Sequence, residues 1–165
     1  MIKSIHIQNF KSLKNILMIP ASLNLLMGLN GMGKSSFIQS LLLLRQNKKS
    51  GLAKFALNGS LTEIGRGRDA LYQDANKEII GFYFDMERYS LFNNDFQYLE
   101  AERTGPQTDY PMSYADVVEK HQLGVKGEFT IHYLNAFGTS LKVPKTLCHK
   151  KAKSDTLFHQ TAAWL

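Results

Sequence analysis

Apolar positions along the chain fall into short blocks, and their spacing changes from block to block. Ile2, Ile5 and Ile7 lie in a β-prone run whose alternation is imperfect, which predicts a strand over residues 2–7. The polar, turn-rich stretch Asn9 to Asn15 follows. Ile16 to Ile19 is apolar and β-compatible, and Pro20 ends it. Leu23 to Met27 predicts a third strand. Phe37, Ile38, Leu41, Leu42, Leu43 and Leu44 then recur at helical spacing, so a helix is expected from Ser36 to about Gln46. Four consecutive leucines widen its apolar face, so it is expected to pack on more than one side. Asn47 to Gly51 supplies the basic residues and glycine that close such a helix.

The rest of the chain is less regular. Leu52 to Leu57 is strand-compatible and ends at the turn dipeptide Asn58-Gly59. Asp69 is placed to cap a short helix over residues 70–75, and residues 78–87 (EIIGFYFDME) predict a strand. Phe96 to Pro106 reads as a strand ending in a charged turn, Tyr114 to Gln122 as a short helix, and Glu128 to Phe137 as helix or strand. Residues 138–154 read as an exposed loop, and Asp155 as the cap of a final helix over residues 156–165.

The chemistry of the chain centres on Gly28-Leu29-Asn30-Gly31-Met32-Gly33-Lys34-Ser35, which lies between the third expected strand and the long helix. Strand, glycine loop and helix in that order match G-x-x-x-x-G-K-[ST], the phosphate-binding loop. Backbone N–H groups converge on a phosphate only where the loop curls tightly, and glycine permits the φ/ψ values this requires. The N-terminus of the following helix adds unpaired amides and the positive end of its dipole. In this frame Lys34 reaches the β- and γ-phosphates, Ser35 offers its hydroxyl to Mg²⁺, and Ser36 bonds an α-phosphate oxygen. A glycine-rich turn without a ligand is the competing reading. The fixed positions recur by chance in roughly one chain of this length in a hundred.

Composition changes this picture little. At 165 residues, 44% hydrophobic and 21% charged, the chain suits one globular domain or slightly more. Its single cysteine, Cys148, excludes an internal disulfide and fits a reducing cytoplasm. The N-terminal residues hold no apolar signal-peptide core, and no apolar run approaches a membrane span. The net charge of +6 permits nucleic-acid contact without requiring it. Lys142, Lys145, Lys150, Lys151 and Lys153 read as a solvated loop ahead of a DNA-binding surface. The histidines and Cys148 show no zinc-ligand spacing. Phe82-Tyr83-Phe84-Asp85 has the outline of a Walker B strand, but Met86 follows where a catalytic Glu is expected. An ordinary half-buried strand is the preferred reading.

Two stretches carry a family resemblance. Ile5-His6-Ile7-Gln8-Asn9-Phe10-Lys11-Ser12 is similar to the opening I-x-N-F-[KR]-S of the ABC-type ATPase heads of the RecF/SMC/OLD group. Gly28 to Ser36 resembles that group's G-x-N-G-x-G-K-S, at the matching separation. Leu57-Asn58-Gly59, Tyr98 to Pro106 and Gly124 to Glu128 resemble segments of the stand-alone bacterial AAA-type ATPases nearest to OLD proteins. The resemblance implies an α/β P-loop NTPase fold, part of an ABC-like head, with a mixed sheet and an N-terminal antiparallel hairpin. It implies ATP and Mg²⁺ as cofactors, with Asn30, Gly31, Met32, Gly33, Lys34, Ser35 and Ser36 around the phosphates and Ser35 on the metal. Lys11 and Ser12 would approach the nucleotide from the first turn, and Arg103 would lie in a coupling loop.

As partners, the resemblance implies a second head closing over shared ATP, DNA, and a nuclease or other effector. No signature motif, Asp-Glu pair or switch histidine follows the loop, and in that group these parts lie further downstream. The whole of residues 1–165 is therefore expected to be the N-terminal portion of a longer ATPase domain, with a naturally truncated protein as the alternative. Phosphate binding is better supported than turnover, because no residue presents itself as the general base. The competing functions are a non-catalytic nucleotide-binding or partner-docking module and, with less support, a small-molecule kinase.

Overall fold

The computed structural model describes residues 2–47, 55–86 and 96–165. Residues 48–54 and 87–95 lie outside the described residues, and with them most of the closing stretch expected after the long helix and the first half of the strand expected from Leu52. Two compact units divide the chain, Met1–Asn93 and Asn94–Leu165.

The first unit is built on an antiparallel sheet of order β2-β1-β3, with β1 at Ile2–Phe10, β2 at Leu13–Met18 and β3 at Gly81–Met86. The expected N-terminal hairpin is present. Its second strand starts at Leu13, earlier than expected, because the reversal takes only Lys11 and Ser12. The structure also explains the imperfect alternation of β1. Its inward residues Ile2, Ile5, Ile7 and Phe10 are spaced by three, two and three. The pairing with β3 shifts between Ile2 and Ser4, and Asn9 adopts φ 55. Each irregularity slips the pleat by one residue, so both ends of the strand turn an apolar side chain inward.

Helix α1 spans Lys34–Gln46 and packs Phe37 and Leu43 into a core with Ile5, Ile7, Phe10, Leu13 and Ile64. Its C-terminus is held by amide side chains. Buried Asn47 donates through Nδ2 to the carbonyls of Leu43 and Ala56 (2.8 and 2.9 Å) and accepts the Ala56 N–H (2.7 Å). Gln46 Oε1 accepts from Leu61 and Thr62. These bonds satisfy helix-end and loop groups that would otherwise be buried without partners.

Three expectations for this unit fail. Leu23–Met27 is not a strand. Both edges of β1 are already taken by β2 and β3, and no other described strand lies beside residues 23–27, so their ladder is unfilled. Leu23 and Met27 are 89% and 80% exposed, and Asn24 and Leu26 of this run line a groove with Ile5, Met18, Phe37 and Leu41. Among the described residues the sheet is antiparallel throughout and not mixed. The short helix, α2, covers Gly67–Ala70 and not 70–75. Asp69 sits inside it, accepting the Arg66 N–H at 2.8 Å. Leu71 and Tyr72 are instead recruited to the end of β1, through the Phe10–Leu71 bridge and the Tyr72 N–H to Asn9 carbonyl bond.

In the second unit, Phe96 to Thr104 runs extended along residues 121–126. Glu100 and Thr104 donate backbone N–H groups to Val125 and Lys126 (2.9 Å each). The expected helix at 114–122 is a single π-helical turn, Ala115–Glu119. Helix α3 occupies Thr130–Phe137, and α4 occupies Leu157–Trp164. Thr156, not Asp155, stands at the N-cap of α4. Asp155 is drawn away by Lys142 (3.1 Å), while its carbonyl accepts the Val143 N–H.

The π-helical turn starts on a reciprocal pair. Ser113 Oγ donates to Asp116 Oδ2 (2.6 Å) and accepts the Asp116 N–H, and Lys120 Nζ donates to Asp116 Oδ1 (2.8 Å). The Lys120 bond, and then the Ser113 bond, hold the Asp116 carboxyl below its ordinary value. A depressed carboxyl stabilises the fold above its unfolded pKa, and that contribution is lost as pH falls through the folded value. The pair is half exposed, so Asp116→Asn should lower stability at neutral pH by less than about 1 kcal/mol. The gap should close on acidification through the carboxylate range, as read by urea denaturation on the fluorescence of Trp164, the chain's single tryptophan.

Candidate functional site

The phosphate loop joins an irregular segment to α1, and three glycines set its path. Gly28, Gly31 and Gly33 adopt φ 144, 85 and 89, a region that L side chains rarely enter. Gly33 is also closed in. A Cβ there would lie 2.5 Å from Leu13 Cδ2 and 3.2 Å from Ser12 Oγ, so the β1–β2 hairpin turn packs directly on the mouth of α1. Gly33 is the N-cap of α1, and its carbonyl accepts the Phe37 N–H at 2.8 Å. No side chain caps this terminus, and its first turn holds no acidic residue. The leading amides and the positive end of the helix dipole are therefore directed at the loop without a resident anion.

The expected site residues gather here. Lys34 folds back over the loop, and its ammonium donates to the carbonyls of Gly28 (2.6 Å) and Leu29 (2.7 Å). This fixes the charge above the ring of backbone that Asn30, Gly31 and Met32 complete, all three exposed. Ser35 is exposed. Ser36 is 8% exposed and its hydroxyl meets that of Ser12 at 2.9 Å, a bond across the contact between hairpin and helix. Lys11 adopts φ 49 in the hairpin turn and donates to Gln39 Oε1 (2.8 Å), one turn along α1. Its backbone N–H is bound to the Ala70 carbonyl at 2.8 Å.

Asp85 does not join this group. It pairs with Ser4 on β1 and is exposed on β3. Ser4 lies six residues before Phe10, roughly 20 Å from the hairpin turn at the rise of a β-strand. The half-buried strand reading of residues 82–85 therefore holds. Arg103 lies in the second unit, in the extended segment paired to residues 125–126. Leu13 and Gln39 were not singled out from the sequence. Leu13 forms the wall that makes glycine obligatory at position 33, and Gln39 anchors Lys11. The short spacing between Lys11-Ser12 and Leu13 was the available signal for the first, and none pointed to the second.

A loop set by three left-handed glycines, ahead of an uncapped helix N-terminus and with an ammonium held over it, has the make-up of an anion site. The profile of the AAA ATPase domain matches residues 1–161. The chain belongs to this family. It is an α/β P-loop NTPase of ATPase type. No curated protein and no solved structure matches the chain. Among the described residues no helix is long and apolar enough to cross a membrane, and no cluster of three or more His, Cys, Asp or Glu is placed to hold a metal.

The loop geometry separates two glycines by their surroundings. Nothing lies within 4 Å of a Cβ at Gly31, whereas one at Gly33 strikes Leu13. Gly31→Ala should lose about 1–2 kcal/mol, from its left-handed backbone alone. Gly33→Ala should lose that and the hairpin contact as well, giving the larger drop in the urea midpoint. Equal losses would contradict the packing described.

Proposed function

We propose that this chain is the ATP-binding part of an ATPase head of the RecF/SMC/OLD-like group, and that it hydrolyses ATP when the head is complete. The observation that carries this reading is the Lys34 ammonium held over the glycine loop at the uncapped N-terminus of α1, with the hairpin turn packed beside them at Gly33. In this reading the amides of Asn30 to Ser36 surround the phosphates, and Lys34 exchanges a loop carbonyl for a phosphate oxygen. Ser35, exposed at the helix start, supplies the one protein oxygen to Mg²⁺, with phosphate oxygens and waters filling the rest of its shell. Ser12 and Lys11 stand where they can reach the nucleotide from the hairpin side, Ser12 through the hydroxyl now shared with Ser36. When bound, ATP supplies the phosphoanhydride whose cleavage powers such heads.

The exposed, strand-like segment Leu23–Met27 supports a larger assembly. Its exposed leucines and open backbone edges suit flanking strands of the full head, so residues 1–165 are read as the N-terminal portion of that domain. Pairing of two heads over ATP, a DNA-directed or anti-phage role, a nuclease or other effector partner, and a cytoplasmic setting extend the same resemblance. The same exposed segment also suits a second reading, a non-catalytic module that docks a partner. Multiple turnovers of ATP by the purified chain would exclude that alternative.

Lys34→Ala removes a charged donor from the phosphates, and such donors contribute about 1.5–3 kcal/mol. ATP affinity measured by equilibrium dialysis with Mg²⁺ should fall on the order of ten- to a hundredfold. Unchanged affinity would overturn the role given to Lys34.

A further inference from the structure

Most of the chain's net positive charge resides in its last quarter. Residues 138–165 hold five lysines against one aspartate, Asp155, within a total of +6. That carboxylate is paired to Lys142 at 3.1 Å, so Lys145, Lys150, Lys151 and Lys153 face no acidic group from their own stretch. From sequence this run reads as a solvated loop. In the structure it is a fastened one.

A turn closed by the Ala152 N–H on the His149 carbonyl (3.1 Å) places Lys150 and Lys151 at its two central positions, both exposed. The turn is held onto α4 by Gln160, which is 4% exposed. Gln160 Oε1 accepts the His149 N–H (2.6 Å), and its Nε2 donates to the Ser154 carbonyl (2.7 Å). One buried amide thus clasps both ends of the lysine segment. The imidazole of His149 then meets Trp164 of α4 edge to face, with ring centres 4.9 Å apart. Trp164 is nevertheless 68% exposed, and it lines a cavity of ≈ 520 Å³ with Leu147, Cys148, His149, Lys150 and Lys151.

A flat aromatic ring packed against an imidazole, open to solvent and flanked by two exposed lysines on a backbone-held turn suits a ligand with an exposed π-face joined to phosphates. Single-stranded nucleic acid is the polymer of that chemistry: its bases are free to stack, and its backbone carries a charge at each residue. A duplex keeps its bases stacked on each other and presents only phosphates to such a pocket. We propose that this pocket is a subsite for single-stranded nucleic acid, with Trp164 stacked on one base and Lys150 and Lys151 on the adjoining phosphates. It belongs to the second unit and does not rest on the nucleotide reading of the phosphate loop.

Because Trp164 is the chain's single tryptophan, its fluorescence reports the site directly. Titrating the full chain with a short oligo-dT should quench that emission, with affinity falling as salt rises. The double variant Lys150→Ala/Lys151→Ala should bind more weakly and show a salt slope shallower by about 1.4, the contribution of two single-strand phosphates. Trp164→Ala, followed by anisotropy of labelled oligo-dT, should lose on the order of ten- to a hundredfold in affinity. Absence of quenching, or an unaltered salt slope in the lysine variant, would overturn the proposal. So would equal binding of double-stranded DNA or of phosphatidylserine vesicles, since either would show that charge alone is being read.

Discussion

The contact between the β1–β2 hairpin turn and Gly33 is the constraint on which the first unit depends. It joins the two parts of the sequence to which we assign nucleotide binding, which lie some twenty residues apart along the chain. Leu13 and Ser12 occupy the space that any side chain at position 33 would need. The loop must therefore turn through a left-handed glycine at that point, and α1 must begin immediately after it. Once α1 starts there, Phe37 and Leu43 fall on the inner face of the sheet, and Ser36 comes within hydrogen-bond distance of Ser12. Core packing and site geometry are thus set by the same contact.

That coupling has an energetic side. An uncapped helix N-terminus beside an ammonium concentrates positive potential in a small volume. Lys34 relieves part of this by bonding the Gly28 and Leu29 carbonyls, so the charge is satisfied while it remains poised over the loop. An anion would relieve the rest. The exposed apolar side chains between Leu23 and Leu29 are a second uncompensated feature among the described residues of the unit.

Where the local pattern alone decides structure, the sequence was legible. The hairpin, α1, the strand at residues 81–86 and α4 follow from apolar spacing and turn chemistry, and the loop from its four fixed positions, whereas the pattern over residues 128–137 left helix and strand open and the structure makes it α3. The failures share a cause in tertiary pairing. Leu23–Met27 has strand composition, but a strand is a relation between chains of backbone, and no described partner is there. Residues 71–75 have helix-compatible composition, but Leu71 and Tyr72 bond to the end of β1. Asp155 has the right type for a cap, yet Lys142 competes for it and Thr156 takes the position. The register shift near Ile2 and the left-handed Asn9 left a trace as broken alternation without revealing their positions. Within the site, the residue types were readable and their mutual support was not: neither the Gln39 anchor for Lys11 nor the Leu13 wall behind Gly33 has a local signature.

The central claim is that the loop from Gly28 to Ser36 and the hairpin turn at Lys11-Ser12 form one nucleotide-binding element. Amide hydrogen exchange of the full chain, with and without ATP and Mg²⁺, tests this most directly, because it reads the backbone groups said to hold the phosphates. The account predicts slowed exchange in residues 30–36 and in the hairpin turn together, with the 149–152 turn unaffected. Exchange in the loop that ATP leaves unchanged would contradict it.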